Sequence, residues 1–144
     1  MTENNKFFWP WPDIPLETFL QRARTVASRA YAPYSGFKVG AALLTSDGSV
    51  ILGCNVENAA YGISLCAERN AIASMVAMGR MDPVAIAVVG GNSGTPCPPC
   101  GACRQVLAEF NPDMLVVLES PNKAIMMKAH ELLPLSFSLK GDRM

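Results

Sequence analysis

The sequence predicts an α/β fold in which helices cover a β-sheet. Helix-like and strand-like segments alternate along the chain, which is the order that produces this architecture. Apolar residues make up 50% of the 144 residues and charged residues 17%, as in globular proteins. This length suits one domain with a substantial core, and no repeat or linker interrupts it. We therefore expect a single domain over residues 1–144, of which residues 1–12 form an N-terminal arm.

The N-terminal arm contains two prolines and two tryptophans. Pro10 and Pro12 prevent a helix, whereas Trp9 and Trp11 are suited to packing on an apolar surface. A poorly ordered tail is an equally good interpretation of the same residues.

The first half of the chain after the arm predicts a helix, a hairpin and a second helix. Leu16, Phe19 and Ala23 belong to an apolar series at helical spacing. Asp47-Gly48 separates two apolar runs and is a strong hairpin signal. The expected elements are a helix over residues 14–30, strands over 38–45 and 50–56, a loop over 57–65 and a helix over 66–78 that stops before Gly79.

The second half predicts a strand, a helix and a pair of strands. "VAIAVVGG" is a continuous apolar run, typical of a buried strand. Two prolines stand just ahead of "CGACRQVLAEF", which favours a helix that begins there. The expected elements are a strand over residues 84–91, a loop over 92–99, a helix over 100–110, strands over 114–119 and 124–129, and a helical turn over 129–134.

Charge and hydropathy exclude several classes of function. The 12 basic and 12 acidic side chains balance, and no basic stripe appears, so we expect a small substrate rather than a polynucleotide. No apolar stretch approaches the roughly 20 residues that span a bilayer. The N-terminus lacks the pattern of an export signal, and five cysteines are then expected to be reduced, in the cytoplasm.

Three of the five cysteines fall in "TPCPPCGACRQV". Cys97 and Cys100 form a C-x-x-C that follows a strand and opens a helix, which is the context of a dithiol oxidoreductase. That interpretation leaves Cys103 unexplained. It also leaves unexplained "LCAERNA", where Cys66 opens another helix.

A metal site explains these cysteines together. Cys100 and Cys103 are one helical turn apart and share a face, and Cys66 begins the other helix. Helix N-termini carry partial positive charge, which favours thiolates, and zinc prefers tetrahedral thiolate and imidazole ligands. Three protein ligands leave the fourth zinc position open for water, which is the arrangement of a catalytic site.

Glu68 and Cys97 distinguish a catalytic zinc site from a structural one. Glu68 follows Cys66 by two residues, so it can reach the same cleft and accept a proton from a water that the metal activates. Taken alone, Glu68 would be an acid that complements the helix dipole. Cys97 as a fourth ligand would close the site, but Pro98 and Pro99 separate it from the helix, and we expect it to be a bystander.

The remaining candidate ligands are expected to be structural. Cys54 lies at the end of a strand, where a small apolar side chain packs well. His130 is the only histidine and lies in a helical turn far along the chain.

Five sequence blocks together cover nearly the whole chain after the arm: "YAPYSGFKVGAALL", "GCNVENAAYG", "CAERNAI", "PCGACRQVL" and "ELLP". These blocks resemble the small homotetrameric cytidine deaminases, which belong to the wider class of zinc deaminases. The resemblance implies a three-layer α/β/α fold with a mixed five-stranded sheet and helices on both faces. It also implies one zinc ion per subunit and a homotetramer with active sites near the subunit interfaces.

The resemblance assigns a role to each matching residue. Cys66, Cys100 and Cys103 correspond to the zinc ligands and Glu68 to the proton shuttle. Arg69 corresponds to an arginine that hydrogen bonds the ligand sulfurs and offsets their negative charge. The implied substrate contacts are Asn55 and Glu57 to the ribose hydroxyls, Phe37 to the pyrimidine ring, the Ala67 backbone to the base, and Tyr61 and Phe137 to a neighbouring subunit's site.

The implied reaction is hydrolytic deamination of cytidine and 2′-deoxycytidine to uridine and 2′-deoxyuridine plus ammonia, in pyrimidine salvage. No basic cluster near the site motifs would hold a 5′-phosphate, which favours free nucleosides. The alternatives are a deaminase of an aminonucleoside antibiotic, a zinc-stabilised binding module without turnover, and a dithiol redox protein.

Overall fold

The computed structural model describes residues 7–91 and 94–140. Every predicted helix and strand is confirmed, with ends that move by at most about three residues, and the predicted loop contains a 3-10 turn at Tyr61–Ile63. The helices are α1 Leu16–Ala27, α2 Ala67–Ala77, α3 Gly101–Phe110 and α4 Ala129–Leu132. The strands are β1 Val39–Thr45, β2 Val50–Cys54, β3 Pro83–Gly90, β4 Leu115–Glu119 and β5 Ala124–Lys128.

The five strands form one mixed sheet in the order β2-β1-β3-β4-β5. β3 and β4 are parallel, and the other neighbouring pairs are antiparallel. A parallel pair needs a crossover connection, and α3 supplies it between β3 and β4. The predicted mixed five-stranded sheet is therefore confirmed.

Helices cover both faces of this sheet, which confirms the three-layer arrangement. Along β3, Ile86 and Val88 pack on one face with α2 and α3, and Ala87 and Val89 pack on the other with α1. We call these the α2/α3 face and the α1 face. Because successive strand residues point to opposite faces, a strand that is buried on both faces has a continuous run of apolar residues in its sequence.

Two glycines let a helix lie directly on a strand, one on each face. A Cβ atom added at Gly53 would lie 2.5 Å from the carbonyl oxygen of Ala67 in α2. One added at Gly40 would lie 2.0 Å from the carbonyl oxygen of Ala23 in α1. Since real Cβ atoms do not approach so closely, Gly53 fixes the first turn of α2 against β2, and Gly40 fixes α1 against β1.

The described part of the N-terminal arm packs on the α1 face. Phe7, Trp9 and Trp11 lie against the apolar cluster of that face, and the Trp9 ring centroid is 5.0 Å from that of Phe19. The Trp9 indole N–H donates to the carbonyl oxygen of Ile14 at 2.6 Å. Packing is thus the correct interpretation for residues 7–12, and residues 1–6 lie outside the described residues. Among the described helices, none has the length and apolar character needed to cross a bilayer.

Candidate metal centre and active site

The N-termini of α2 and α3 bring three cysteines together on the α2/α3 side of the fold. Cys66 is the N-cap of α2, Cys100 is the N-cap of α3, and Cys103 lies in the first turn of α3. Their Sγ atoms all lie within 4.8 Å of one another, with 3.9 Å between Cys66 and Cys100 and 3.6 Å between Cys100 and Cys103.

This spacing fits a zinc ion. Tetrahedral zinc with Zn–S bonds of about 2.3 Å places its sulfur ligands about 3.8 Å apart. The Cys66–Cys100 and Cys100–Cys103 separations lie within a few tenths of an ångström of that value. Cys103 is buried, Cys66 is half-buried and Cys100 is exposed, so the group of three thiols extends from the interior to the surface.

The two α3 thiols have pKa values that are shifted in opposite directions. Burial disfavours the thiolate of Cys100, but hydrogen bonds from the backbone N–H groups of Cys103 and Ala102 and from the neighbouring thiols lower its pKa overall. Burial raises the pKa of Cys103, and the negative charges of Glu68 and Cys66 raise it further. The first thiol is therefore prepared to ionise, and the second needs a cation beside it to do so.

Glu68 lies in the first turn of α2 beside the three thiols, and its side chain is 5% exposed. Burial raises the pKa of its carboxyl group, against the opposing charge of Arg69 and a hydrogen bond from Cys103. A carboxyl group held in this environment accepts and releases protons closer to neutral pH than an exposed one does.

Arg69 approaches the metal centre from the next position of α2. Its Nη2 donates to the Sγ of Cys66 at 3.5 Å and to the carbonyl oxygen of Ser64 at 3.3 Å. The hydrogen bond to Cys66 raises the pKa of the guanidinium group. Its buried Nε has no hydrogen-bond partner within the described chain, and the group lies beside thiols whose ionised form its charge would complement.

A cavity of about 270 Å³ opens beside these residues. This volume is near the lower limit of small-molecule sites, which span roughly 300–1,000 Å³. Its lining comes from β1, the segment after β2, the first turn of α2 and the loop before α3: Val39, Asn55, Glu57, Ser64, Leu65, Cys66, Ala67, Glu68, Cys97, Pro98 and Cys100.

A larger cleft of about 580 Å³ lies elsewhere, between α1 and the loop that joins β4 and β5. Its charged side chains include Arg24, which pairs with Glu17 and Glu119. Over residues 7–91 and 94–140, the only group of three metal-ligating side chains is the cysteine group, and it borders the smaller cavity. Chemistry rather than size therefore identifies the candidate active site.

Asn55, Glu57 and Ala67, to which the resemblance assigns substrate contacts, line the cavity. Asn55 and Glu57 follow β2 with one residue between them, so both side chains point to the same side. Their polar atoms also bind the start of β1 and the chain before it: Asn55 accepts from Val39 N–H at 2.8 Å, and Glu57 accepts from Tyr34 N–H at 3.0 Å.

Phe37, Tyr61 and Phe137 are outside the described residues that line this cavity. The Phe37 ring packs on the backbone of Gly90 and Gly91 at the end of β3 and is half exposed. Tyr61 is 75% exposed and forms an edge contact with Tyr34, and Phe137 is 71% exposed. Their predicted roles therefore require a bound substrate or a second subunit.

Cys97 lines the cavity but is not a member of the group of three cysteines. Its side chain packs against Gly90, and burial raises the pKa of its thiol. His130 lies in α4, where its Nε2 is 3.9 Å from a carboxylate oxygen of Asp113. Neither residue belongs to the metal centre that this geometry defines, and the bystander role of Cys97 stays a prediction.

Two polar residues that the sequence did not single out hold the ligand-bearing helices in place. Asn70 donates from its side chain to the carbonyl oxygen of Cys54 at 2.7 Å, which ties α2 to the end of β2. Arg104 donates to the carbonyl oxygens of Pro99 and Leu132 at 2.8 and 3.0 Å, which ties the start of α3 to α4. Asn70 lies within "CAERNA" and Arg104 within "PCGACRQ", and this proximity to the cysteines is the sequence signal that could have identified them.

The fold and the three-cysteine centre define the class of this protein as a zinc-dependent deaminase, which is a hydrolase. Residues 14–119 match the family described as the cytidine and deoxycytidylate deaminase zinc-binding region. The chain belongs to this family.

Relatives and solved structures agree with this assignment. The chain is 49% identical over 124 residues to a cytidine deaminase of Halalkalibacterium halodurans, which covers 85% of this chain and 93% of the relative. It is 41% identical over 128 residues to a cytidine deaminase of Mycobacterium tuberculosis, with 89% and 93% covered. The crystal structure of cytidine deaminase from Burkholderia pseudomallei superposes with a TM-score of 0.81 at 48% identity and covers 85% of this chain and 99% of that one.

Proposed function

We propose that this protein hydrolyses cytidine and 2′-deoxycytidine to uridine and 2′-deoxyuridine with release of ammonia. The observation that carries the proposal is the position of Glu68. Its buried carboxyl group lines the same cavity as Cys66 and Cys100, two of the three thiols that fit zinc. A proton-transfer group beside an open metal position is what hydrolysis of an aromatic amine needs.

Glu68 moves the protons in the proposed reaction. Cys66, Cys100 and Cys103 would hold zinc, which when bound would supply a water acidic enough to serve as a nucleophile near neutral pH. Glu68 accepts a proton from the attacking water and delivers it to N3 of the cytosine ring, which makes C4 electrophilic. After attack at C4, Glu68 carries the proton of the new C4 hydroxyl group to the amino group; the C4–N bond breaks, ammonia leaves and the C4 carbonyl of the product forms.

Arg69 serves as a positioning residue for the metal centre in this proposal. Three thiolates donate strongly to zinc, which weakens the pull of the metal on the water proton. The guanidinium group withdraws part of that charge through its hydrogen bond to Cys66. Arg69→Ala should weaken zinc binding or turnover while the fold persists, and unchanged values for both would refute this role.

The nucleoside is held by residues around the cavity. Asn55 and Glu57 bind the sugar hydroxyls, since an amide and a carboxylate are good partners for hydroxyl groups. The Phe37 ring packs on the pyrimidine, and the Ala67 backbone contacts the base. Tyr61 and Phe137 complete the site of a neighbouring subunit, a role that their exposure outside the cavity of their own chain supports.

A homotetramer in the cytoplasm completes the proposal. Large side chains of the 3-10 turn, just before the cavity-lining residues Ser64 and Leu65, are exposed in the single chain: Tyr61 at 75% and Ile63 at 65%. Covering them with further subunits would remove apolar surface from water. The five free cysteines suit a reducing compartment, and the reaction fits pyrimidine salvage.

Absorbance spectroscopy with zinc-replete protein tests the substrate. We expect cytidine and 2′-deoxycytidine to be converted, and cytidine 5′-monophosphate to react poorly, because none of the described residues that line the cavity is basic. An aminonucleoside antibiotic serves as the competing substrate. Conversion of the antibiotic without conversion of cytidine would overturn the proposal.

A further inference from the structure

Ser35 lies between two of the residues proposed to hold the nucleoside. Its hydroxyl group donates to Oε2 of Glu57 and accepts the backbone N–H of Phe37 at 2.9 Å. One exposed side chain therefore connects the carboxylate proposed to bind the sugar with the aromatic residue proposed to pack on the base.

We propose that Ser35 is a positioning residue that orients Glu57 toward the sugar hydroxyls and so favours substrates that carry them. The inference rests on the proposed function and adds a residue to which no role in the site has been given. Ser35 is outside the residues that line the cavity in the described chain, so it would act through Glu57 and Phe37 rather than on the substrate itself.

The hydrogen bonds of Glu57 show which acceptor position remains for a ligand. Oε1 accepts the backbone N–H groups of Tyr34 at 3.0 Å and Ser35 at 3.1 Å, and Oε2 accepts the Ser35 hydroxyl. A carboxylate has about four acceptor positions. Among the described residues these three hydrogen bonds leave one position, on Oε2, for a hydroxyl group of the substrate.

Ser35 also favours the ionised form of Glu57. The hydrogen bond from the Ser35 hydroxyl lowers the pKa of the Glu57 carboxyl group, as do the backbone N–H groups of Ser35 and Tyr34. An ionised carboxylate is an acceptor only, so it is suited to a hydroxyl donor from a sugar.

Asn55 binds the other end of the segment that contains Ser35, and so helps to hold residues 34–39 in place. Its side-chain oxygen accepts Val39 N–H at 2.8 Å, and its side-chain nitrogen donates to the carbonyl oxygen of Phe37 at 2.9 Å. The two proposed sugar-binding side chains thus hold residues 34–39 between them. Loss of the Ser35 hydroxyl removes the hydrogen bonds to Glu57 Oε2 and from Phe37 N–H. The backbone hydrogen bonds to Glu57 Oε1 and the Asn55 contacts stay in place, so the change is confined to the orientation of Oε2.

Steady-state kinetics of Ser35→Ala with paired substrates test the inference. With cytidine, we expect KM to rise about tenfold, the scale of one hydrogen bond to a charged group, and kcat to stay within about twofold. With 2′,3′-dideoxycytidine, which lacks both secondary hydroxyl groups, KM should change by less than about twofold, since Glu57 then has no hydroxyl to bind. Ser35→Thr keeps the hydroxyl group and should restore the wild-type KM.

The controls separate positioning from a general loss of structure. Ser28→Ala removes another exposed hydroxyl, which donates within the last turn of α1, and should leave both substrates unaffected. Added to Glu57→Gln, Ser35→Ala should raise KM no further. An equal loss with both substrates, or an unchanged KM for cytidine, would overturn the role of Ser35. Absence of cytidine conversion by the wild type would instead overturn the proposed function and this inference with it.

Discussion

The two faces of the sheet differ in what surrounds the helix that a glycine brings onto a strand. On the α2/α3 face, Gly53 lies beneath Ala67 and Ala71, in the turn of α2 that follows the ligand Cys66. On the α1 face, Gly40 lies beneath α1 in the same way, and the aromatic side chains of the N-terminal arm pack beside that helix. The first face fixes the position of chemical groups, and the second mainly buries apolar surface.

This difference shows which face of the sheet must hold its atoms in exact positions. Three sulfur atoms must stay within a few tenths of an ångström of the zinc geometry, so backbone contacts and hydrogen bonds hold the helix starts on the α2/α3 face. The arm only has to exclude water, which bulky residues achieve without exact placement. Variants on the two faces should therefore separate activity from stability.

The largest effect is expected at the metal centre. Cys103→Ala should abolish stoichiometric zinc binding and lower turnover by about 1,000-fold or more, because the metal supplies several kcal/mol of transition-state stabilisation. Cys97→Ala is the matched control and should keep both zinc and turnover, since its thiol lies outside the group of three. Loss of zinc from Cys97→Ala, measured by metal analysis, would instead indicate a closed structural site.

A pair of glycine substitutions compares the two faces directly. Gly53→Ala and Gly40→Ala each place a Cβ atom within about 2.5 Å of a helix backbone, so each should lower the free energy of unfolding by about 3 kcal/mol. Only Gly53→Ala displaces the start of α2, so only this variant should also weaken zinc binding. Urea unfolding and a zinc chelator competition measure the two effects, and equal zinc affinities in both variants would contradict the comparison.

The smallest effect is expected in the N-terminal arm. Trp9→Ala should lower the free energy of unfolding by about 2 kcal/mol, since Trp9 is half-buried and a fully buried aromatic side chain contributes about 3–5 kcal/mol. Phe8→Ala, at a residue 79% exposed, should cost less than about 0.5 kcal/mol. Both variants should keep wild-type turnover. Equal stabilities for Trp9→Ala and the wild type would show that the arm does not contribute to the fold.

Much of the fold and the cysteine group could be predicted because both follow from local patterns. The strand and helix periods are properties of neighbouring residues, and one helical turn separates Cys100 from Cys103. Cys66 required the further inference that two helix N-termini meet, and the presence of a similar cysteine motif at each start supported it. Glu68 followed from its distance of two residues from Cys66.

Contacts between distant segments could not be predicted in the same way. Ser35 and Glu57 are 22 residues apart, and nothing in either segment alone indicates that they share a hydrogen bond. Arg104 binds the carbonyl oxygen of Leu132 across 28 residues. The arm was equally compatible with a packed segment and a tail, because two tryptophans define an apolar surface but not the partner that covers it.

The most direct test of the account compares zinc content and cytidine turnover in the same preparations of wild type and Glu68→Gln. The substitution keeps the size of the side chain and removes the proton acceptor. We predict one zinc ion per chain in both proteins, cytidine conversion by the wild type, and a rate lower by about 100-fold or more in Glu68→Gln. Near-normal turnover by Glu68→Gln with zinc bound would contradict the assignment of Glu68 as the group that moves the protons.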